Sequence, residues 1–233
     1  MKKLVTLMGL FMVFTMTAQE LYFTTYNFTV ESQNVGTVYR MVNDYYSKNK
    51  PAGVTVSLYE NHFNDHGVNF THSIVFSGSV DALGAMYGSG ENTSWELFIT
   101  RLQQHVKEGY SSAMGSRLAH AGDLNQKFPF QRVMMLDVED GSAFLEFWKK
   151  FNSINPEGRL AMIGNISAGR SPEGESHWIV NGFKDMKSAM AGVSSLMTDT
   201  QRESRDKMWE ESKDTYGDVR MVRNTLRILL GQW

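Results

Sequence analysis

The chain has 233 residues, with 23 lysines and arginines against 25 aspartates and glutamates. The formal charge of -2 excludes the strongly basic surface with which proteins grip nucleic acid. A hydrophobic content of 42% with 12% aromatics supports a real core and excludes wholesale disorder. There is no cysteine, so disulfides, thiolate metal sites, Fe–S clusters, cysteine nucleophiles and a lipoprotein anchor are all excluded.

The chain opens with Lys2 and Lys3, then an apolar run over residues 4–16, then the small-residue exit Thr17-Ala18-Gln19. This is the pattern of an export signal over residues 1–18, which implies a periplasmic or secreted product. The run is short for a spanning helix, and no second long apolar stretch follows. No membrane span is therefore expected once the signal is removed.

Residues 22–31 alternate, with Tyr22, Tyr26, Phe28 and Val30 on one side, which predicts a strand. Val35, Val38, Val42 and Tyr45 fall at helical spacing, and residues 48–53 supply Lys, Asn, Pro and Gly as a stop. Val54, Val56 and Leu58 alternate as a second strand, residues 61–69 turn the chain, and residues 70–76 form a third. Trp95, Phe98, Ile99, Leu102 and Val106 predict a second helix capped by Asn92-Thr93-Ser94. A weak final strand covers 112–118. The order then recurs: strand 132–139, helix 144–151 stopped by Asn155-Pro156-Glu157-Gly158, strands 160–166 and 177–181, and a helical stretch from about Asp185. A charged, solvated helix anchored by Trp209 covers 199–218, and strand 219–230 follows.

Short matches reinforce this recurrence. Thr71-His72-Ser73-Ile74-Val75 matches Ser176-His177-Trp178-Ile179-Val180 at an offset of 105. Residues 36–46 overlay 141–151 at the same offset, placing Tyr39 on Phe144 and Tyr46 on Phe151, and Asp81 matches Asp185 at an offset of 104. The reading is an α+β protein of two tandem ferredoxin-like β-α-β-β-α-β repeats, at 19–125 and 126–233. Strands apolar on both sides require both sheet faces to be covered, so the two sheets are expected to pack against each other as an intrachain α/β barrel.

This element order and duplication resembles the dimeric α/β-barrel superfamily in a tandem form, over about residues 20–233. The resemblance is one of fold, without a signature sequence, and carries little chemistry by itself. It implies relatives among cofactor-poor monooxygenases, chlorite-dismutase-like haem proteins, dye-decolourising peroxidases and members without known activity.

His72 and His177 share strand faces with their neighbouring isoleucines. Each is either a haem ligand or general base, or a buried strand-edge histidine bonded to a carbonyl or hydroxyl and facing no open cavity. No orienting partner is identifiable in the sequence, which favours the second reading. His62 and His66, with Glu60 and Asp65, are candidate metal ligands on a connection between strands. Gly88-Ser89-Gly90 lacks the rest of a nucleotide fingerprint, and no Gly-x-Ser-x-Gly elbow is present.

No acid–base–nucleophile set assembles from the sequence. The function expected is therefore a non-catalytic exported protein, without a cofactor, that binds a small apolar or aromatic ligand or self-associates as a homo-oligomer. Ligand contacts are expected at His72, His177, Arg220 and Arg223. The alternative is an oxidative enzyme, haem-dependent or cofactor-free, using the same histidines or the Arg220/Arg223 pair.

Overall fold

A computed structural model describes residues 21–64, 70–88, 90 and 92–233. The export signal read over residues 1–18 lies outside them, as do His66 and Ser89. Eight strands run β1 Leu21–Val30, β2 Val54–Phe63, β3 His72–Gly78, β4 Val106–Ala121, β5 Phe130–Val138, β6 Arg159–Ala168, β7 His177–Phe183 and β8 Val219–Gln232. Six helices are interspersed: α1 Val35–Tyr46, α2 Val80–Tyr87, α3 Thr93–Gln103, α4 Gly141–Phe151, α5 Met186–Ala191 and α6 Asp199–Ser212. Among the described residues no helix is long and apolar enough to cross a membrane.

Every strand pair is antiparallel, and the order β1-β3-β2-β8-β5-β7-β6-β4 closes on itself as a barrel. The expected face-to-face packing of two sheets is thus corrected. The strands of residues 21–121 join those of 130–232 edge to edge, through β2–β8 and β4–β6. An unpaired edge leaves backbone N–H and C=O groups without partners, and closure removes every edge.

The helices cover the outside, and alternation gives each strand one face toward them. Val38, Val42 and Tyr46 recur every four residues on α1 and bury against Phe28, Val56, Leu58 and Phe76. Phe144, Phe147 and Trp148 do the same for α4 against Leu136, Ala161 and Ile163. The α1 and α4 burial patterns coincide when Val38 meets Phe144 and Val42 meets Trp148, one residue away from the sequence overlay. Tyr39 is accordingly exposed while Phe144 is buried.

Three further differences have local causes. Helix α2 escapes the sequence reading because it is eight residues long and buries Leu83 alone. Strand β4 is 16 residues long, since its exposed first half still pairs with β1, and Val106 opens this strand instead of ending α3. Strand β2 runs on through the polar residues to Phe63, held by β8. Asp81 and Asp185 both lie at helix starts, but Asp185 is the N-cap of α5 whereas Ser79 caps α2.

The opposite strand faces fill the barrel interior. There Phe23 meets Trp178 edge-on at 5.5 Å, and the Arg227 guanidinium lies 3.9 Å over the Tyr59 ring while donating to Gln131 Oε1. Trp178 occupies the space above Gly164. A Cβ at 164 would stand 2.2 Å from Trp178 Cζ2 and 2.3 Å from the Ser116 carbonyl oxygen. Gly164→Ala should therefore overpack the interior and lower stability by about 1–3 kcal/mol. Urea unfolding followed by tryptophan fluorescence reads this directly, and an unshifted midpoint would contradict the placement of Trp178.

Candidate functional site

The end of β5 leads directly into α4 through Glu139 and Asp140. Asp140 is the N-cap, its Oδ1 accepting from the Ser142 and Ala143 amides at 3.0 and 2.9 Å. Opposite this turn, Ser176 ties three strand ends together. Its amide donates to the Leu136 carbonyl, its carbonyl accepts from Ile166, and its hydroxyl accepts from the Val138 amide at 3.1 Å. The same hydroxyl lies 2.9 Å from Nδ1 of His177, the first residue of β7.

The Cε1–Nε2 edge of His177 lies against Gly141, where a Cβ would be only 3.0 Å from both atoms. Glycine at the first position of α4 is what lets the ring sit there. The ring borders an open cleft of about 710 Å³ with apolar walls from Leu118 and Leu145, a rim carrying Glu139 and Asp140, and Gly217 beyond. Partial burial, reinforced by Arg170, lowers the His177 pKa, so the ring is neutral near pH 7. The cleft thus combines a neutral imidazole, carboxylates and an apolar wall, which suits a small aromatic molecule bearing oxygen.

The first half repeats the stitch without the cleft. The Thr71 hydroxyl accepts from the Val30 amide at 2.9 Å and lies 2.8 Å from His72 Nδ1. The His72 ring stacks on Phe28 and is 2% exposed, and its buried Nε2 has no partner among the described residues. Burial lowers its pKa, opposed by Glu60. Both histidines therefore have the expected hydroxyl partner. The expectation that neither faces an open cavity is corrected for His177, because Gly141 leaves its outer edge uncovered.

The other candidates lie apart from this cleft. Arg220 pairs with Asp137 and donates to the Glu173 carbonyl, and Arg223 reaches Glu173 Oε2 at 3.5 Å. Both arginines thus tie the β6–β7 loop to the barrel end. His62 Nδ1 lies 3.0 Å from Glu60 Oε1 on the exposed end of β2, and no group of three potential metal ligands occurs among the described residues. The sequence reading missed Ser176, Glu139, Asp140 and Gly141. Its available signal was an Asp-Gly-Ser helix start directly after a strand.

Haem, which the fold resemblance implies, does not fit either histidine. His72 has no open surface through which a macrocycle could approach. At His177 the cleft carries the carboxylates of Glu139 and Asp140 where haem propionates require cations.

No family model matches the chain, and no curated protein matches it. Among solved structures, a protein of Lactobacillus acidophilus described as a monooxygenase superposes with a TM-score of 0.61 at 11% identity, over 91% of this chain and 100% of that one. A protein of Fusobacterium nucleatum subsp. nucleatum, also described as a monooxygenase, gives 0.57 at 17% identity, over 92% and 94%. An anthrone oxidase-like protein gives 0.55 at 10% identity, over 93% and 94%. The chain thus has the fold of the dimeric α/β-barrel superfamily. The expectation of a non-catalytic binding protein is corrected at this point. The three neighbours just named are described as monooxygenases or as anthrone oxidase-like, and this is the finding that overturns it.

The two depressed histidines make stability depend on pH. An imidazole in the unfolded chain titrates at about pH 6.5, whereas in the folded protein burial makes both rings titrate lower. As pH falls the unfolded chain takes up protons first, so stability is lost below about pH 6.5. His72→Gln should make the wild-type decline between about pH 7 and pH 5 shallower. Urea midpoints across that range test it, and parallel curves for the two proteins would refute it.

Proposed function

We propose that the protein is an O₂-dependent oxidative enzyme that needs neither haem nor metal. Its substrate is a small aromatic molecule with a hydroxyl or carbonyl oxygen, held in the His177 cleft. The observation that carries this reading is the neutral His177 ring, anchored by Ser176 and opening between the carboxylates of Glu139 and Asp140 and the walls of Leu118 and Leu145. The oxidative descriptions of its fold neighbours support it.

In this reading a rim carboxylate accepts a proton from an activated ring C–H or phenol O–H, and His177 holds the oxygen on which negative charge collects. The electron-rich anion then reduces O₂. For a ring methylene the overall change is CH₂ plus O₂ giving C=O plus H₂O, so oxygen supplies both the oxidant and the new oxygen atom. We further read residues 19–125 and 126–233 as two ferredoxin-like repeats. The support is the strand order β4-β1-β3-β2 followed by β8-β5-β7-β6, and the hydroxyl–histidine stitch present once in each. On that view only the second copy carries an open site.

An oxygen electrode with anthrone and substituted phenols tests the reading. Oxygen uptake with matching carbonyl product is expected without added haem, and His177→Gln should lower turnover by about 10²-fold while leaving the melting temperature unchanged. Oxidation that begins only on haem uptake, or the absence of turnover with the whole panel, would overturn it.

A further inference from the structure

We infer that Ser176 is a positioning residue that fixes the His177 tautomer, so that the ring presents an Nε2–H to the cleft and acts as a hydrogen-bond donor, not as the base. The inference rests on placing the site at His177, and it follows from counting protons. The Val138 amide can only donate, so at 3.1 Å the Ser176 oxygen must accept from it. The other hydrogen-bond partner seen for that hydroxyl is His177 Nδ1, at 2.9 Å. Ser176 is 6% exposed, so water is a poor alternative destination for its single proton. The hydroxyl therefore donates to Nδ1.

An Nδ1 that accepts a hydrogen bond carries no proton, so the neutral ring bears its proton on Nε2. That nitrogen lies on the ring edge beside Gly141, at the cleft. His177 can then stabilise a developing phenolate or enolate oxygen from the start of the reaction, with no proton to take up itself. The role of base falls to Glu139 or Asp140, which border the same cleft. In the first half Thr71 holds the equivalent place beside His72, with its hydroxyl also 3.4 Å from the Val30 carbonyl oxygen. Threonine at position 176 should therefore serve as well as serine.

The test is a long-range proton–nitrogen correlation spectrum of protein labelled with ¹⁵N-histidine in neutral buffer, the His177 signals being those absent from His177→Gln. The expected result is the Nε2–H tautomer in the wild type and in Ser176→Thr, with a shift toward the Nδ1–H form in Ser176→Ala. Turnover should fall about tenfold in Ser176→Ala with KM unchanged, and recover in Ser176→Thr. An Nδ1–H ring in the wild type overturns the inference, and so does an unchanged tautomer in Ser176→Ala. Should Ser176→Ala fail to fold, the wild-type and Ser176→Thr spectra still decide it. If the tautomer is as expected but His177→Gln leaves oxidation intact, the tautomer assignment stands and the catalytic reading of the cleft fails.

Discussion

Eight antiparallel strands can satisfy their backbone groups only if none of them is left at an edge, and this constraint organises the molecule. Left alone, the strands of residues 21–121 would expose free edges on β2 and β4, and those of 130–232 free edges on β8 and β6. Pairing β2 with β8 and β6 with β4 removes all four edges. Once the barrel is closed its interior must be filled by side chains, and its outer face must be covered by helices. The outer clusters around Val38 and Val42 and around Phe144 and Trp148, and the Phe23–Trp178 contact within, are consequences of that closure.

Closure also explains where chemistry can occur. Each half brings the end of its first strand and the start of its third together below a helix N-terminus, and a serine or threonine hydroxyl bridges them. The bridge leaves a histidine beside it, and the surroundings of that ring differ between the halves. In the first half the ring is buried on Phe28. In the second half Gly141 adds no side chain, and the ring edge remains at the surface of the cleft.

The elements legible in the sequence were those whose burial is local. Alternation at Val54, Val56 and Leu58 and the helical spacing of Val38 and Val42 report a single covered face, and both segments form as read. The recurring Ser/Thr-His pair correctly marked two equivalent strand starts. Features that depend on partners distant in sequence were not legible. The exposed half of β4 is a strand because β1 lies beside it. Arg220 and Arg223 look like free cations on β8 until Asp137 and Glu173 are brought to them by the fold. The cleft itself joins Leu118, the β5–α4 turn, His177 and Gly217, four stretches that no spacing rule connects.

The seam between β2 and β8 carries a further consequence. Ser57 and Gln232, paired across it, are 175 residues apart. During synthesis β2 leaves the ribosome long before β8 exists, and until then its outer edge is open to any passing strand. The exposed end of β2 carries Glu60 and His62, side chains of the kind that discourage such pairing. The β2–β8 seam can therefore form only once β8 has been made, as a late, long-range step.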